Sequence, residues 1–552
     1  MSKQARLMVQ GKPFFSLGGQ THNSSSYTVD KMARSWNSVK ALGGNTVATP
    51  VPWDAFEPVE GQFNEKFVTD LIDEARKQGL KLTFLWFATW KNGTMEYSPA
   101  WVKRDTARFQ RVLLKDGLAI HQLSAHSKEN WEADKRAFCK LLQVIRDYDQ
   151  DEQTVIAVQV ENEAGILGGT RRDFSPLGQA AYEADVPAHL IQYAKDHPCS
   201  LLAEKWQAAG GKETGSWGEV FGRYGAEALT AHAIASYIDG IAAAGKEVYD
   251  IFLYTNVWLD GGSRGMGTNM AGIDWPAGCA VIGNLDIYYA TCQALDTIAP
   301  DNYKLDLFRH KEVTDAYAHP ENGFPLFVPE SSPANMNAGQ MFYAVAEKGA
   351  IGYHIFGCES CLEDDGETLR PLAVPMMHTM KMLTAATPLI FQYQGTEDIH
   401  SLVQMVGERE QVLEKLKGGW RAAVTYAVSG DGWPSMDFRH WDAIREEGKG
   451  VDDTQVEKGR AMIFQVNDNE FYVIGHKARI TFNQYEPDDG SIPATYASPI
   501  LQPTNVNYIE VTEGHFDENG QYVVDVVRSG DEVRHGIWCQ YDCGVIHVVL
   551  DN

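Results

Sequence analysis

The segment Thr154-Val155-Ile156-Ala157-Val158-Gln159-Val160-Glu161-Asn162-Glu163-Ala164-Gly165 is an apolar run that stops abruptly in three polar residues. An apolar run of this length reads as a strand buried on both faces, as in a parallel sheet wrapped by helices. Alone, its acidic end fits a solvated terminus or a helix cap equally well. Leu326-Phe327-Val328-Pro329-Glu330-Ser331-Ser332 repeats the grammar, a hydrophobic run closed by a carboxylate. In closed barrels the ends of the strands carry the reacting groups.

The same unit recurs on either side of these two runs. Apolar stretches at 14–17, 46–49, 82–87, 252–255, 295–299 and 352–356 join 155–160 and 326–328 as eight strand candidates in parallel order. Amphipathic helices separate them. The one at 28–42 lines up Met32, Trp36, Val39 and Leu42 and stops at Gly43-Gly44. The next follows Asn64, with Phe67, Val68, Leu71, Ile72 and Ala75 on its apolar stripe, and a third covers 131–148. Alternation alone also fits an open doubly wound sheet, but no Gly-x-Gly-x-x-Gly loop follows an early strand to support a nucleotide site. The fold class is therefore α/β, with a (β/α)8 barrel expected over 1–387. The span 165–244 is too long for one βα unit and reads as an excursion over the barrel mouth. After Pro388 the texture turns β-rich, with runs at 461–466, 470–474, 506–511, 521–527 and 545–549 and turn signals at Asn467-Asp468-Asn469 and Asn519-Gly520. A C-terminal all-β, sandwich-like domain is expected over 388–552.

Composition narrows the function classes. Lys plus Arg number 48 against 74 Asp plus Glu, a net charge of −26 that repels phosphate backbones and anionic lipid. Nucleic-acid and membrane partners are excluded on that ground; neutral sugars meet no such objection. No stretch approaches the roughly 20 apolar residues of a membrane helix, and no apolar leader precedes Gly11-Lys12-Pro13, which predicts a cytoplasmic protein. The eight cysteines are scattered, as expected of free, mostly buried thiols. Cys358-x-x-Cys361 lacks a second ligand pair, so neither a metal nor any other cofactor is expected. Large barrels with a β-domain commonly form symmetric oligomers, so a homo-oligomer is compatible with this chain.

Glu163 and Glu330 are the candidates for chemistry. Cleavage of a glycosidic bond needs one protonated carboxyl to donate to the leaving oxygen and one ionised carboxylate on the opposite face of the sugar. Separated by about 5 Å, the second becomes a nucleophile and the reaction retains configuration.

At these residues the chain resembles the retaining β-galactosidases of glycoside hydrolase family 35, with a flavour of family 42. The phrases that carry the likeness are Val158-Gln159-Val160-Glu161-Asn162-Glu163, Asn45-Thr46 through Val51-Pro52-Trp53 with Glu57-Pro58 and Gly61-Gln62-Phe63, Ala88-Thr89-Trp90 with Pro99-Ala100-Trp101, and Phe327-Val328-Pro329-Glu330. The resemblance implies that Glu163, rather than Glu161, is the acid/base, that Glu330 is the nucleophile, and that Asn162 bonds the sugar 2-hydroxyl. The C-terminal region resembles the uncharacterised β-domain of one branch of these proteins. Two positions depart from the family: Pro50 stands where a tyrosine is usual, and Thr89 where a glutamate is usual, both of which contact galactose in the family. The activity implied is that of a retaining exo-glycosidase on terminal β-D-galactosyl residues of small soluble glycosides or oligosaccharides. An α-L-arabinopyranosidase, another β-glycosidase, or a non-catalytic carbohydrate-binding barrel are the alternatives.

Other candidates for substrate contact are Gln20, His22 and Asn23 after the first strand, and Asn256 and Tyr303 near the ends of the fifth and sixth. Trp86 and Trp258 either stack on a sugar face or belong to the core. Glu359, at the end of the eighth strand, competes as a catalytic carboxylate but lacks a motif match.

Overall fold

The computed structural model describes residues 6–261, 269–426, 456–484, 506–533 and 536–551. The first five residues, on which the expectation of no apolar leader partly rests, lie outside them.

Eight parallel strands are present: β1 (Ser16–Gln20), β2 (Thr46–Pro52), β3 (Lys81–Lys91), β4 (Val155–Asn162), β5 (Phe252–Val257), β6 (Thr297–Pro300), β7 (Phe327–Val328) and β8 (Gly352–Phe356). They pair in the order β6-β5-β4-β3-β2-β1-β8-β7. The ring closes from β7 to β6 where Asp301 and Glu330 form a parallel bridge and the Asn302 amide donates to the Glu330 carbonyl at 2.9 Å. This is the closed barrel expected from the alternating pattern.

The first strand begins and ends later than 14–17, with Gly18 and Gly19 inside it. A Cβ on Gly18 would sit 1.9 Å from the Thr46 carbonyl oxygen, and one on Gly19 2.6 Å from the Cys358 Cβ. Close approach to β2 and to the turn after β8 demands glycine there.

Helices α1 (Val29–Leu42), α2 (Glu65–Gln78), α3 (Lys128–Asp149), α4 (Gly225–Val248), α5 (Leu285–Thr291), α6 (Leu307–Tyr317), α7 (Asn335–Ala346) and α8 (Val374–Ala385) surround the strands. The Thr28 hydroxyl accepts from the Lys31 amide to start α1, which buries Met32, Trp36, Val39 and Leu42 as its periodicity dictates. Between β4 and α4 the chain forms further helices, among them Pro176–Glu183, Ala188–Asp196 and Leu201–Ala208. The barrel floor, at the beginnings of the strands, is closed by a cluster that includes Leu7, Val9, Ile156, Tyr254 and Phe327.

Beyond the barrel come strands β9 (Ile399–Val403), β10 (Glu410–Leu413), β11 (Trp420–Tyr426), β12 (Arg460–Asn467), β13 (Glu470–His476), β14 (Ala478–Gln484), β15 (Asn507–Phe516), β16 (Tyr522–Arg528), β17 (Ile537–Cys539) and β18 (Val545–Asp551). They form a six-stranded antiparallel sheet ordered β9-β12-β13-β18-β15-β16 and a four-stranded sheet ordered β10-β11-β14-β17. Ala461, Ile463 and Val473 of the first sheet share a core with Ala422, Val424 and Ile480 of the second. The alternate residues Met462, Phe464 and Ile474 join the barrel's own core instead. Strand alternation thus gives β12 and β13 of the larger sheet two buried faces, one toward the sandwich and one toward the barrel.

A polar cluster reinforces that junction. The buried Glu457 carboxylate accepts from Arg460 at 2.9 Å and lies 3.0 Å from His378 Nδ1 of α8 and 3.2 Å from His476 Nε2 of β13. Arg460 also donates to the Pro375 carbonyl at 2.8 Å. All eight cysteines are free thiols, six of them buried. No helix among the described residues is long and apolar enough to cross a membrane.

Candidate active site

Strand β4 delivers its acidic end by a strained turn. Glu161 and Glu163 adopt φ of 62° and 46°, left-handed values uncommon for non-glycine residues and concentrated at functional sites. The effect is to send the two glutamates to different places. Glu161 turns into the barrel wall, fully buried, where its carboxylate accepts from the Thr89 and Trp90 amides at 3.3 and 2.7 Å. Burial and the neighbouring Asp134 push its carboxyl well above the ordinary range. Glu163 instead lines a cavity of about 500 Å³ at the carboxyl ends of the strands, together with Glu330, Asp301, Lys91, Trp258 and Tyr303.

Glu330, just after β7, is held by donors. Gln20 Nε2 gives a hydrogen bond of 2.6 Å to Oε1, the Tyr303 hydroxyl one of 2.7 Å to Oε2, and Asn256 Nδ2 a longer one of 3.5 Å to Oε1. Burial and the Glu330 charge keep the Tyr303 phenol protonated by raising its pKa far above the usual value. Asn256, on β5, ties the site together: its Oδ1 accepts from the Glu163 amide at 2.8 Å, while Nδ2 donates to Asp301 Oδ2 at 2.8 Å. Asn92 Nδ2 donates to Glu163 Oε2. Glu163, Asp301 and Glu330 each present a carboxylate oxygen within 4.8 Å of the others.

The sequence candidates therefore divide. Gln20, Asn256 and Tyr303 reach Glu330 directly, and Trp258 lines the cavity. Asn162 is fully buried beside it, where its Oδ1 accepts from Lys91 Nζ at 2.9 Å and its Nδ2 makes no hydrogen bond within the protein. His22 does not join them: its Nε2 pairs with the Ser360 hydroxyl at 2.9 Å and its ring meets the edge of Phe356. Glu359 is withdrawn from the cavity by the His22 amide and the Ser25 hydroxyl of the segment after β1 and by the Ser35 hydroxyl of α1. Trp86 is core, its Nε1 donating to Asp134 at 2.8 Å among Trp53, Phe56 and Phe138.

Three site residues were not singled out from sequence: Lys91, Asn92 and Asp301. β3 runs four residues beyond the expected 87, through Ala88-Thr89-Trp90-Lys91, and so carries Lys91 and Asn92 to the cavity. Asp301 had a visible signal, since Ile298-Ala299-Pro300-Asp301 is another apolar run closed by a carboxylate.

The sequence profile of Glycosyl hydrolases family 35 matches residues 6–218, and that of a domain of unknown function, DUF5597, matches residues 376–540. No curated protein matches the sequence. Among solved structures, a β-galactosidase from the psychrophilic Marinomonas ef1 aligns at 12% identity over 67% of this chain and 60% of its own, with a TM-score of 0.46. The catalytic domain of β-amylase from Paenibacillus polymyxa aligns at 13% identity over 66% and 97%, with a TM-score of 0.45. A cold-adapted β-galactosidase from Rahnella sp. R3 aligns at 16% identity over 70% and 58%, with a TM-score of 0.48. The chain spans about 60% of the length of the Marinomonas and Rahnella β-galactosidases it resembles. Residues 6–218 are thus similar to the glycosyl hydrolases of family 35 and lie in the barrel, and residues 376–540 are similar to a domain of unknown function and include most of the C-terminal β-sheets.

Proposed function

We propose that the protein removes terminal β-D-galactosyl or galactose-configured residues from small soluble glycosides by a retaining double displacement. Glu330 attacks the anomeric carbon while Glu163 protonates the departing oxygen; Glu163 then takes a proton from the water that releases the sugar. The observation that carries the reading is the approach of the two carboxylates to within 4.8 Å at their nearest oxygens, the short spacing of retaining rather than inverting sites. Asn162, with a buried Nδ2 unused within the protein, is the donor assigned to the sugar 2-hydroxyl.

Cleavage of α-L-arabinopyranosides is the second reading. It is favoured at Thr89, whose hydroxyl donates to Asp134 at 2.6 Å and contacts Tyr237 inside the wall, so that position supplies no carboxylate to a galactose hydroxyl. A panel of nitrophenyl glycosides tests both. The β-galactoside and the α-L-arabinopyranoside should be cleaved well ahead of the β-glucoside and β-mannoside. Uniform inactivity with sugar binding retained would contradict hydrolysis and leave a non-catalytic carbohydrate-binding barrel.

A further inference from the structure

The site contains one carboxyl group more than a double displacement uses. Asp301 follows β6, is only 3% exposed, and is brought beside Glu330 by the bridge that closes the barrel. Its Oδ2 accepts from Asn256, whereas its Oδ1 is buried with no donor facing it. One of its carboxylate oxygens lies within 4.8 Å of one on the Glu163 carboxylate. Two carboxyl groups can share a hydrogen bond only when one of them carries a proton.

From this geometry we infer that Glu163 and Asp301 hold one proton between them, and that Asp301 is a positioning residue which keeps the general acid charged with its proton. The inference rests on the glycosidase reading of the site.

The groups facing Asp301 support it from every side. Glu163 comes from β4 and Glu330 from β7; the Tyr254 phenol, on β5, is kept neutral by burial and by Asp301 and Glu330. The cation that offsets them is Lys91, from β3. Lys304 also lines the cavity but gives its Nζ to the Asp260 carbonyl at 3.1 Å, so Lys91 is the lysine set against the three clustered carboxyls, and a third negative charge there is very costly. Glu330 is already supplied with donors by Gln20 and Tyr303 and takes one of the first two charges, so the pair keeps a single proton. Burial first, and then Glu330 and Glu163, raise Asp301 well above the ordinary carboxylate range.

The charges then balance through the reaction. As Glu330 forms its bond to the anomeric carbon it becomes a neutral ester. The bond from that carbon to the leaving oxygen breaks, and the oxygen takes the shared proton from Glu163. The pair is now doubly negative just when its neighbour has lost its charge. In the second step water gives a proton back to the pair and its oxygen to the sugar, and Glu330 leaves as a carboxylate.

The test compares the intact protein with Asp301→Asn. Deleting one charge of the pair makes the remaining proton easier to lose. With an unactivated phenyl glycoside, the alkaline limb of kcat/KM should therefore move down by about one pH unit or more, a tenfold fall in proton affinity. With a dinitrophenyl glycoside, whose leaving group needs no acid, the limb should not move, which a merely structural defect would not reproduce. An unmoved limb with the phenyl substrate overturns the inference. Infrared titration gives a second arm that needs no turnover. The intact protein should keep a carboxylic-acid band above neutral pH that shifts in frequency and titrates at lower pH in Glu163→Gln, because Asp301 then keeps its burial and Glu330 but loses the Glu163 carboxyl. If no glycoside is cleaved, the glycosidase reading fails and the infrared arm still decides proton sharing; an identical band in both proteins overturns it.

Discussion

Each donor on Glu330 has a job that can be removed singly. The Tyr303 hydroxyl donates to Glu330, the nucleophile of the proposed reaction, from 2.7 Å, and a hydrogen bond to a charged group is worth about 1.5–3 kcal/mol. Tyr303→Phe removes that donor and little else, because the ring stays at the cavity edge. We expect kcat to fall by roughly 10- to 100-fold with unchanged thermal stability, from steady-state kinetics and a melting curve on the same preparation. Unchanged kcat would mean that the phenol does not act on the nucleophile. Glu161 offers the opposite case: it lies closer in sequence to the motif's apolar run than Glu163 does, yet its two backbone donors hold it in the wall.

At the scale of elements, the strands that could be read were those with long, unbroken apolar runs. β4, β7 and β8 stand where periodicity put them, and Glu163 and Glu330 came with them. β1 was displaced by glycines that serve close packing rather than a turn, and β3 by a polar extension that hid Lys91 and Asn92. In the C-terminal region β9, β10, β11, β14 and β17 escaped notice. β10, Glu-Gln-Val-Leu, and β17, Ile-Trp-Cys, are too short to show a period, and β9 interrupts its apolar residues with His400 and Ser401. The division at residue 387 remains our proposal for where the two units part. Their junction depends on the outer face of the larger sheet, and Phe464, fully buried and 6.1 Å from the Tyr393 ring, is central to it. Phe464→Ala should destabilise the protein by about 3–5 kcal/mol, measured by urea unfolding. A loss below about 1 kcal/mol would show that the face is not packed as described.

Across the whole molecule, the barrel and the β-domain are also joined by Glu457, His378, His476 and Arg460, and that joint is sensitive to acid. Burial lowers His476 to about 4, below its unfolded value of roughly 6.5. Between those values the unfolded chain binds a proton that the folded chain refuses, so stability falls as pH falls through this window, by up to about 1.4 kcal/mol per unit. Glu457 is shifted well below the ordinary carboxylate range by Arg460 and the two histidines, against the opposing effect of its burial. Its contribution is present above the unfolded carboxylate value of about 4.3 and is lost only at lower pH, beneath most of the histidine window. Urea midpoints of the intact protein and His476→Gln should therefore converge, or cross, on acidification from about pH 6.5 toward 4.5, and parallel profiles would contradict the account. The central claim, that this joined molecule is a retaining glycosidase with Glu330 as nucleophile and Glu163 as acid/base, is tested most directly by stereochemistry. Glu163→Ala keeps the nucleophile, so azide should intercept the covalent intermediate from the vacated side and give a β-glycosyl azide from a dinitrophenyl β-glycoside. Glu330→Ala has no nucleophile, so azide in its place can give only the α-azide by direct displacement. The measurement is the anomeric configuration of both products by proton NMR: β from Glu163→Ala and α from Glu330→Ala is the predicted result, and the reverse pairing would contradict it.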